Sequence, residues 1–309
     1  MKINVLSDFN IPECSLISLK KMGSIFEVCY TEHKNAGIYI QLIDKDHYAN
    51  LKTGEILECN HISNRSESIA QVSQSLKRLR DYINTNVIDV TKCKWITLTY
   101  AENMTDRERL YKDMEKFVKK MRYKYGHFDY IVACEPQGRG AWHSHCIFIF
   151  DSKAPFIPND DLSSIWGHGF TKTQKLDSNI DNIGAYLTAY LGDMPLDECL
   201  DSGIRFNLQD IKLVDSIGNE NLKVPKKFVK GARLYLYPPN FNIYRISRGI
   251  KKPIREFIPY DKFKAKIGDK SPTYKKSIEL SENDFKNKIV YEYYNIKRET
   301  YQNNIKTIS

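Results

Sequence analysis

The 309-residue sequence has no uninterrupted apolar run approaching the roughly 18 residues that cross a bilayer as a helix. Its first residues, MKINVLSDFNIPE, lack the continuous apolar stretch of a secretory signal, so a cytoplasmic protein with no membrane partner is expected. Seven cysteines (Cys14, Cys29, Cys59, Cys93, Cys134, Cys146 and Cys199) are scattered singly without a CxxC pair. That pattern excludes a zinc ribbon and a disulfide framework, and leaves reduced, mostly buried thiols. There is no GxxxxGK[ST] phosphate loop, so any helicase work falls to another protein. Neither an internal repeat nor a low-complexity segment is visible.

Acidic residues are missing from one stretch. Between Asn221 and Arg255 there are ten Lys/Arg and no Asp or Glu, which accounts for the whole net charge of +9. A concentrated positive field favours a polyanion, nucleic acid being the usual one; the plainer alternative is a solvated loop face. With 41% hydrophobic residues the chain can bury a sizeable core.

The first ~60 residues carry short β-like runs, Phe26–Tyr30 and Gly37–Ile43 among them, with no chemical constellation. Asn64 and Glu67 resemble a capping pair ahead of a helix on which Ile69, Val72, Leu76, Leu79 and Ile83 recur at helical spacing. Trp95-Ile-Thr-Leu-Thr-Tyr100 alternates as a strand, and Thr105-Asp-Arg-Glu108 opens a helix with Leu110, Met114, Phe117, Val118 and Met121 on one face. Phe128 to Glu135 and His143 to Phe150 read as antiparallel strands joined by a turn containing two glycines. A weaker helix near Asp160 to Trp166, an extended piece near Phe170 to Leu176 and a helix from about Ile180 to Leu191 follow. The order predicts an α+β fold, an antiparallel sheet with helices on one face. Residues after Ser281 are expected to form a helix or a loose tail.

Chemistry concentrates on the two central strands. Alternate strand residues share a face, so His143 and His145 project together, and Glu135 lies across the turn where pairing brings it level with them. Two imidazoles and a carboxylate suit a divalent ion with positions left open; beside a phosphodiester that ion is Mg2+ or Mn2+ rather than zinc. An isolated H-x-H on a strand is also compatible with exposed or backbone-satisfied histidines. Arg139, at the turn tip, either contacts phosphate or is an ordinary exposed turn residue. His168 between two glycines touches DNA or metal, or is simply exposed. Tyr186 and Tyr190 lie one helical turn apart on one face. They are candidates for nucleophilic attack on phosphorus, or core tyrosines with wet tips.

The blocks Trp95–Tyr100, Glu135-Pro-Gln-Gly-Arg-Gly-Ala-Trp-His-Ser-His145 and Tyr186-Leu-Thr-Ala-Tyr190 resemble, in order and spacing, the three motifs of HUH-type rolling-circle replication initiators. Arg233-Leu-Tyr-Leu-Tyr-Pro238 and Tyr244-Arg-Ile-Ser-Arg-Gly-Ile250 are similar to the downstream segment of the bacterial plasmid and phage type. The resemblance implies a ferredoxin-like, RRM-related core with metal ligands Glu135, His143 and His145 and nucleophiles Tyr186 and Tyr190. It implies a nicking and rejoining endonuclease acting on single-stranded or origin DNA through a 5′-phosphotyrosine, with a host helicase and polymerase as partners. Many members carry a lysine three residues after the first tyrosine, where this chain has Ala189; Lys172, Lys175 or the basic segment are the substitutes at hand. Lys226, Lys227, Lys230, Arg233, Arg245 and Arg248 are the expected DNA contacts. The expected organisation is an N-terminal extension (1–90), a nuclease core (91–195), a basic β-rich continuation (196–260) and a C-terminal tail (261–309). The rival readings are a mobilisation relaxase or transposase of the same superfamily, and a non-catalytic nucleic-acid-binding module in which aromatics stack on bases.

Overall fold

The computed structural model describes residues 2–34, 37, 39–176, 182–188, 191–217, 223–282 and 285–296, without the side chains of 186, 214–217 and 223–226. The chain divides into two compact units, one of residues 1–62 with 253–309 and one of residues 63–252.

In the second unit, helix α1 (Ile69–Asn86) follows a single turn capped by Asn64, whose side chain accepts from the Ser66 amide. Strand β1 (Cys93–Thr99) leads to α2 (Arg107–Tyr125), which Asp106 caps by accepting from the amides of Glu108 and Arg109. Next come β2 (Phe128–Pro136), β3 (Trp142–Phe150), α3 (Asn159–Trp166) and β4 (Thr171–Gln174). These four strands lie in the order β4-β1-β3-β2, all antiparallel, the arrangement of a ferredoxin-like β-α-β-β-α-β unit. Helix α4 (Ile183–Thr188), β5 (Met194–Pro195), α5 (Leu196–Asp201), β6 (Ile211–Ile217) and β7 (Lys223–Val229) follow, and β8 (Tyr244–Ile246) adds a fifth strand beside β2. Strands β5, β7 and β6 form a separate small sheet in that order.

Strand alternation gives the five-stranded sheet two faces. Ile96, Leu98, Val132, Cys146 and Phe148 meet Leu110, Phe117 and Met121 of α2 and Leu162 and Trp166 of α3. The expectation of helices on one face holds for α2 and α3 and needs a correction for the rest. Ile131, Ala133 and Ile147, on the opposite face, are apolar too, and they are covered by Leu79 and Ile83 of α1 with Ile183 and Leu187 of α4. Burial of both faces is the physical reason, because an apolar half-face left in water would forfeit its transfer free energy. Among the described residues no helix is long and apolar enough to cross a membrane.

The first unit is built on a six-stranded antiparallel sheet. Its strands run in the order Lys2–Leu6, Tyr274–Glu282, Phe285–Asn295, Ile25–Thr31, Leu16–Met22 and Ile254–Pro259. Helix Tyr260–Ile267 packs Phe263 and Ile267 against Ile17, Leu19, Val28, Val290 and Tyr294. Residues 285–295, expected as helix or tail, are therefore a central strand. Val290, Glu292 and Tyr294 alternate with Ile289, Tyr291 and Tyr293 at the period of a strand, and the pairing partner lies at the other end of the sequence.

Candidate functional site

The hairpin of β2 and β3 sets Glu135 opposite His143 and Ala133 opposite His145, while β1 sets Thr99 opposite His143 and Thr97 opposite His145. Cross-strand partners share a face, so two rows run across the sheet: Thr99, His143, Glu135 and Thr97, His145, Ala133. Each imidazole meets a threonine hydroxyl through Nδ1, at 3.0 Å from Thr99 Oγ1 to His143 and 3.4 Å from Thr97 Oγ1 to His145. Nε2 of His145 lies 3.2 Å from Glu135 Oε1, and the two imidazole centroids are 4.5 Å apart. One donor atom each from Glu135, His143 and His145 falls within 4.8 Å of the others. Two imidazoles fixed through Nδ1 and one carboxylate are a donor set that fits a divalent ion, the hydroxyls holding each ring in orientation.

Charge within the cluster is shaped by burial and by Arg233. Desolvation lowers the His143 pKa to about 4, helped by the neighbouring His145 and Arg233 and opposed by Glu135. Desolvation pushes the Glu135 carboxyl up, but the His145 hydrogen bond with the charges of Arg233 and the histidines outweighs it, and the group stays below the ordinary carboxylate value. At neutral pH the cluster therefore holds an ionised Glu135 and a neutral His143, the forms in which both donate electron pairs.

Arg233 differs most from expectation. Predicted on a DNA-facing surface, it is 7% exposed and donates to the carbonyls of Pro136 (2.7 Å) and Asp193 (2.9 Å), with Glu198 Oε2 at 3.4 Å and Glu135 Oε2 at 3.9 Å. Glu198 in turn accepts from the Gly138 amide, and Ser202 Oγ donates to the Gly138 carbonyl at 3.0 Å. A Cβ at Gly138 would stand 2.4 Å from Glu198 Cγ, so this approach requires glycine. One buried guanidinium thus ties the turn after Glu135 to α5 and to the Asp193 backbone.

The other expected contacts are dispersed. Arg139 folds back onto the carbonyls of Tyr100 (2.7 Å) and Ala101 (3.2 Å). Arg245 is exposed and lies over the Tyr111 ring of α2, on the face away from the histidines. Arg248 is exposed near Ser247, which pairs with Tyr130 at the far end of β2 from Glu135. Lys227 and Lys230 are exposed; Lys226 is in β7, with its side chain outside the described residues. His168 Nε2 sits 3.6 Å from Asp113 Oδ2, against α2 and not among the metal donors.

Helix α4 lies on the histidine face, with the Gly184 amide donating to Asn84 Oδ1 of α1 at 2.8 Å. Tyr186 belongs to this helix, but its side chain, Ala189 and Tyr190 fall outside what is described. The sequence reading assigned no role to Thr97 and Thr99, although a T-x-T in register with H-x-H was the available signal.

Residues 93–194 match the family model for the replication-associated protein of the ORF2 type, a match consistent with a replication initiator. The matched span runs from the start of β1 past α4 and holds Glu135, His143, His145, Tyr186 and Tyr190. No curated protein and no solved structure matches the chain.

Proposed function

We propose that this chain is a metal-dependent single-strand DNA endonuclease and strand transferase that initiates rolling-circle replication. The observation carrying this reading is the convergence of Glu135, His143 and His145 on one sheet face inside the span that matches a replication-associated family. Glu135, His143 and His145 would hold the ion. Bound there, Mg2+ or Mn2+ supplies Lewis-acid polarisation of a phosphate oxygen. Tyr186 or Tyr190 attacks phosphorus through its phenolic oxygen, the bond to the 3′ oxygen breaks, and the 3′ hydroxyl leaves with a proton. The 5′ end stays on the protein as a phosphotyrosine, which conserves the bond energy for rejoining. The two threonines keep the imidazoles aimed, and Arg233 keeps the Glu135 turn in place.

Nicking of single-stranded DNA carrying the replicon's own origin, with and without Mn2+, tests the reading. The wild type should nick only with the ion, and His143→Ala with His145→Ala should abolish nicking while DNA binding persists. Binding without nicking by the wild type would instead mark a non-catalytic nucleic-acid-binding module.

A further inference from the structure

The loop from α3 into β4 is fixed from several sides. The Trp166 indole donates to the Thr99 carbonyl at 3.1 Å, the Ala101 amide to the His168 carbonyl at 2.9 Å, and the Thr99 amide to the Phe170 carbonyl at 2.9 Å. Gly169, at φ +151°, packs so closely on β1 that a Cβ would stand 2.4 Å from the Ala101 nitrogen. This well-held backbone nevertheless presents Phe170 with 64% of its surface exposed, and no described residue stacks on its ring. A fixed, unburied phenyl ring contributes little to folding.

Register gives that ring a place. Thr171 pairs with Leu98 and Lys172 with Thr97, so Phe170 continues the row of Thr99, His143 and Glu135, and Lys172 heads the row of Thr97, His145 and Ala133. Phe170 and Lys172 therefore share the face of the metal-donor cluster, on the edge strand. With strands about 4.8 Å apart, Phe170 stands two strands, or roughly 10 Å, from His143. That separation is of the order of a nucleotide or so of extended strand. Lys172 is exposed and has no ion pair among the described residues.

We infer that Phe170 and Lys172 form a stacking and phosphate-contact shelf for single-stranded DNA beside the scissile phosphate, Phe170 under a base and Lys172 on the backbone. The inference rests on the DNA-nicking reading above. An aromatic face takes any base and a cation any phosphate, so the shelf contributes affinity and placement without sequence preference.

Fluorescence anisotropy with a labelled 20-nucleotide oligothymidine in EDTA, run beside the origin-nicking reaction, tests it. Phe170→Ala should weaken oligothymidine binding about tenfold. Phe170→Leu should weaken it similarly, because it keeps apolar bulk without an aromatic face. Phe170→Trp should bind as the wild type or tighter, with additional emission quenched by DNA. Lys172→Ala should reduce the slope of log affinity against log salt by about 0.7. Wild-type affinity in both Phe170→Ala and Phe170→Leu, with wild-type nicking intact, would overturn the shelf alone. Absence of nicking and adduct in the wild type would overturn the nuclease reading, whatever the Phe170 variants do to binding.

Discussion

The Thr99 hydroxyl lies 3.0 Å from Nδ1 of His143, one strand away on the same sheet face. In the tautomer that donates Nδ1–H to this oxygen, Nε2 keeps its lone pair for a ligand. Thr97 stands in the same relation to His145 at 3.4 Å. The β1 strand thus acts as a backing that sets both rings.

Removing one hydroxyl while keeping the shape of the side chain isolates that role. Thr99→Val should fold normally and bind Mn2+ on the order of 10 to 100-fold more weakly by calorimetric titration. Thr97→Val should have the smaller effect, its contact being longer. Unchanged Mn2+ affinity in both variants would remove the threonines from the site.

Arg233 supports Glu135 from below the surface. Arg233→Met strips the donors from the Pro136 and Asp193 carbonyls and leaves Glu198 and Glu135 without their buried partner. The expected cost is about 3 to 5 kcal/mol in chemical denaturation. Lys227→Ala, on an exposed residue, should change stability by less than about 0.5 kcal/mol. Equal stabilities would show that Arg233 is no structural tie.

The His143 ring, buried and set beside His145 and Arg233, titrates at about 4, whereas an unfolded histidine protonates near 6.5. Between those values the unfolded chain binds a proton that the folded chain does not. Stability of the metal-free protein should therefore be fully present above pH ~6.5 and fall as pH drops towards ~4. NMR titration of the ring in EDTA checks this directly; a midpoint near 6.5 would contradict it.

The strand Phe285–Asn295 lies between Tyr274–Glu282 and Ile25–Thr31. Deleting residues 285–309 should abolish protection of residues 1–62 against limited proteolysis, because two interior ladders lose their partner. Undiminished protection would place the stability of that unit elsewhere.

The parts legible in the sequence were those encoded locally. Alternation in Phe128–Glu135 and His143–Phe150, with glycines between, gave the hairpin, the shared histidine face and the level of Glu135. Apolar spacing from Ile69 to Ile83 gave α1, but its docking on the histidine face depends on Ile131, Ala133 and Ile147, whose alternate-face neighbours are equally apolar. Arg233 was read as a surface cation because sequence shows charge and not burial. The C-terminal strand escaped because its contacts are remote: Asn287 bonds to the backbone of His33, 254 residues away. Thr97 and Thr99 stood inside a recognised strand, but their partners become visible only once β1 is known to pair with β3.

Mass-spectrometric mapping of the covalent product bears most directly on the nuclease reading. After incubation with single-stranded origin DNA and Mn2+, a nucleotide-bearing peptide should contain Tyr186 or Tyr190, and the double variant Tyr186→Phe with Tyr190→Phe should yield none. A nick with no protein-linked 5′ end, or an adduct that survives in the double variant, would contradict it.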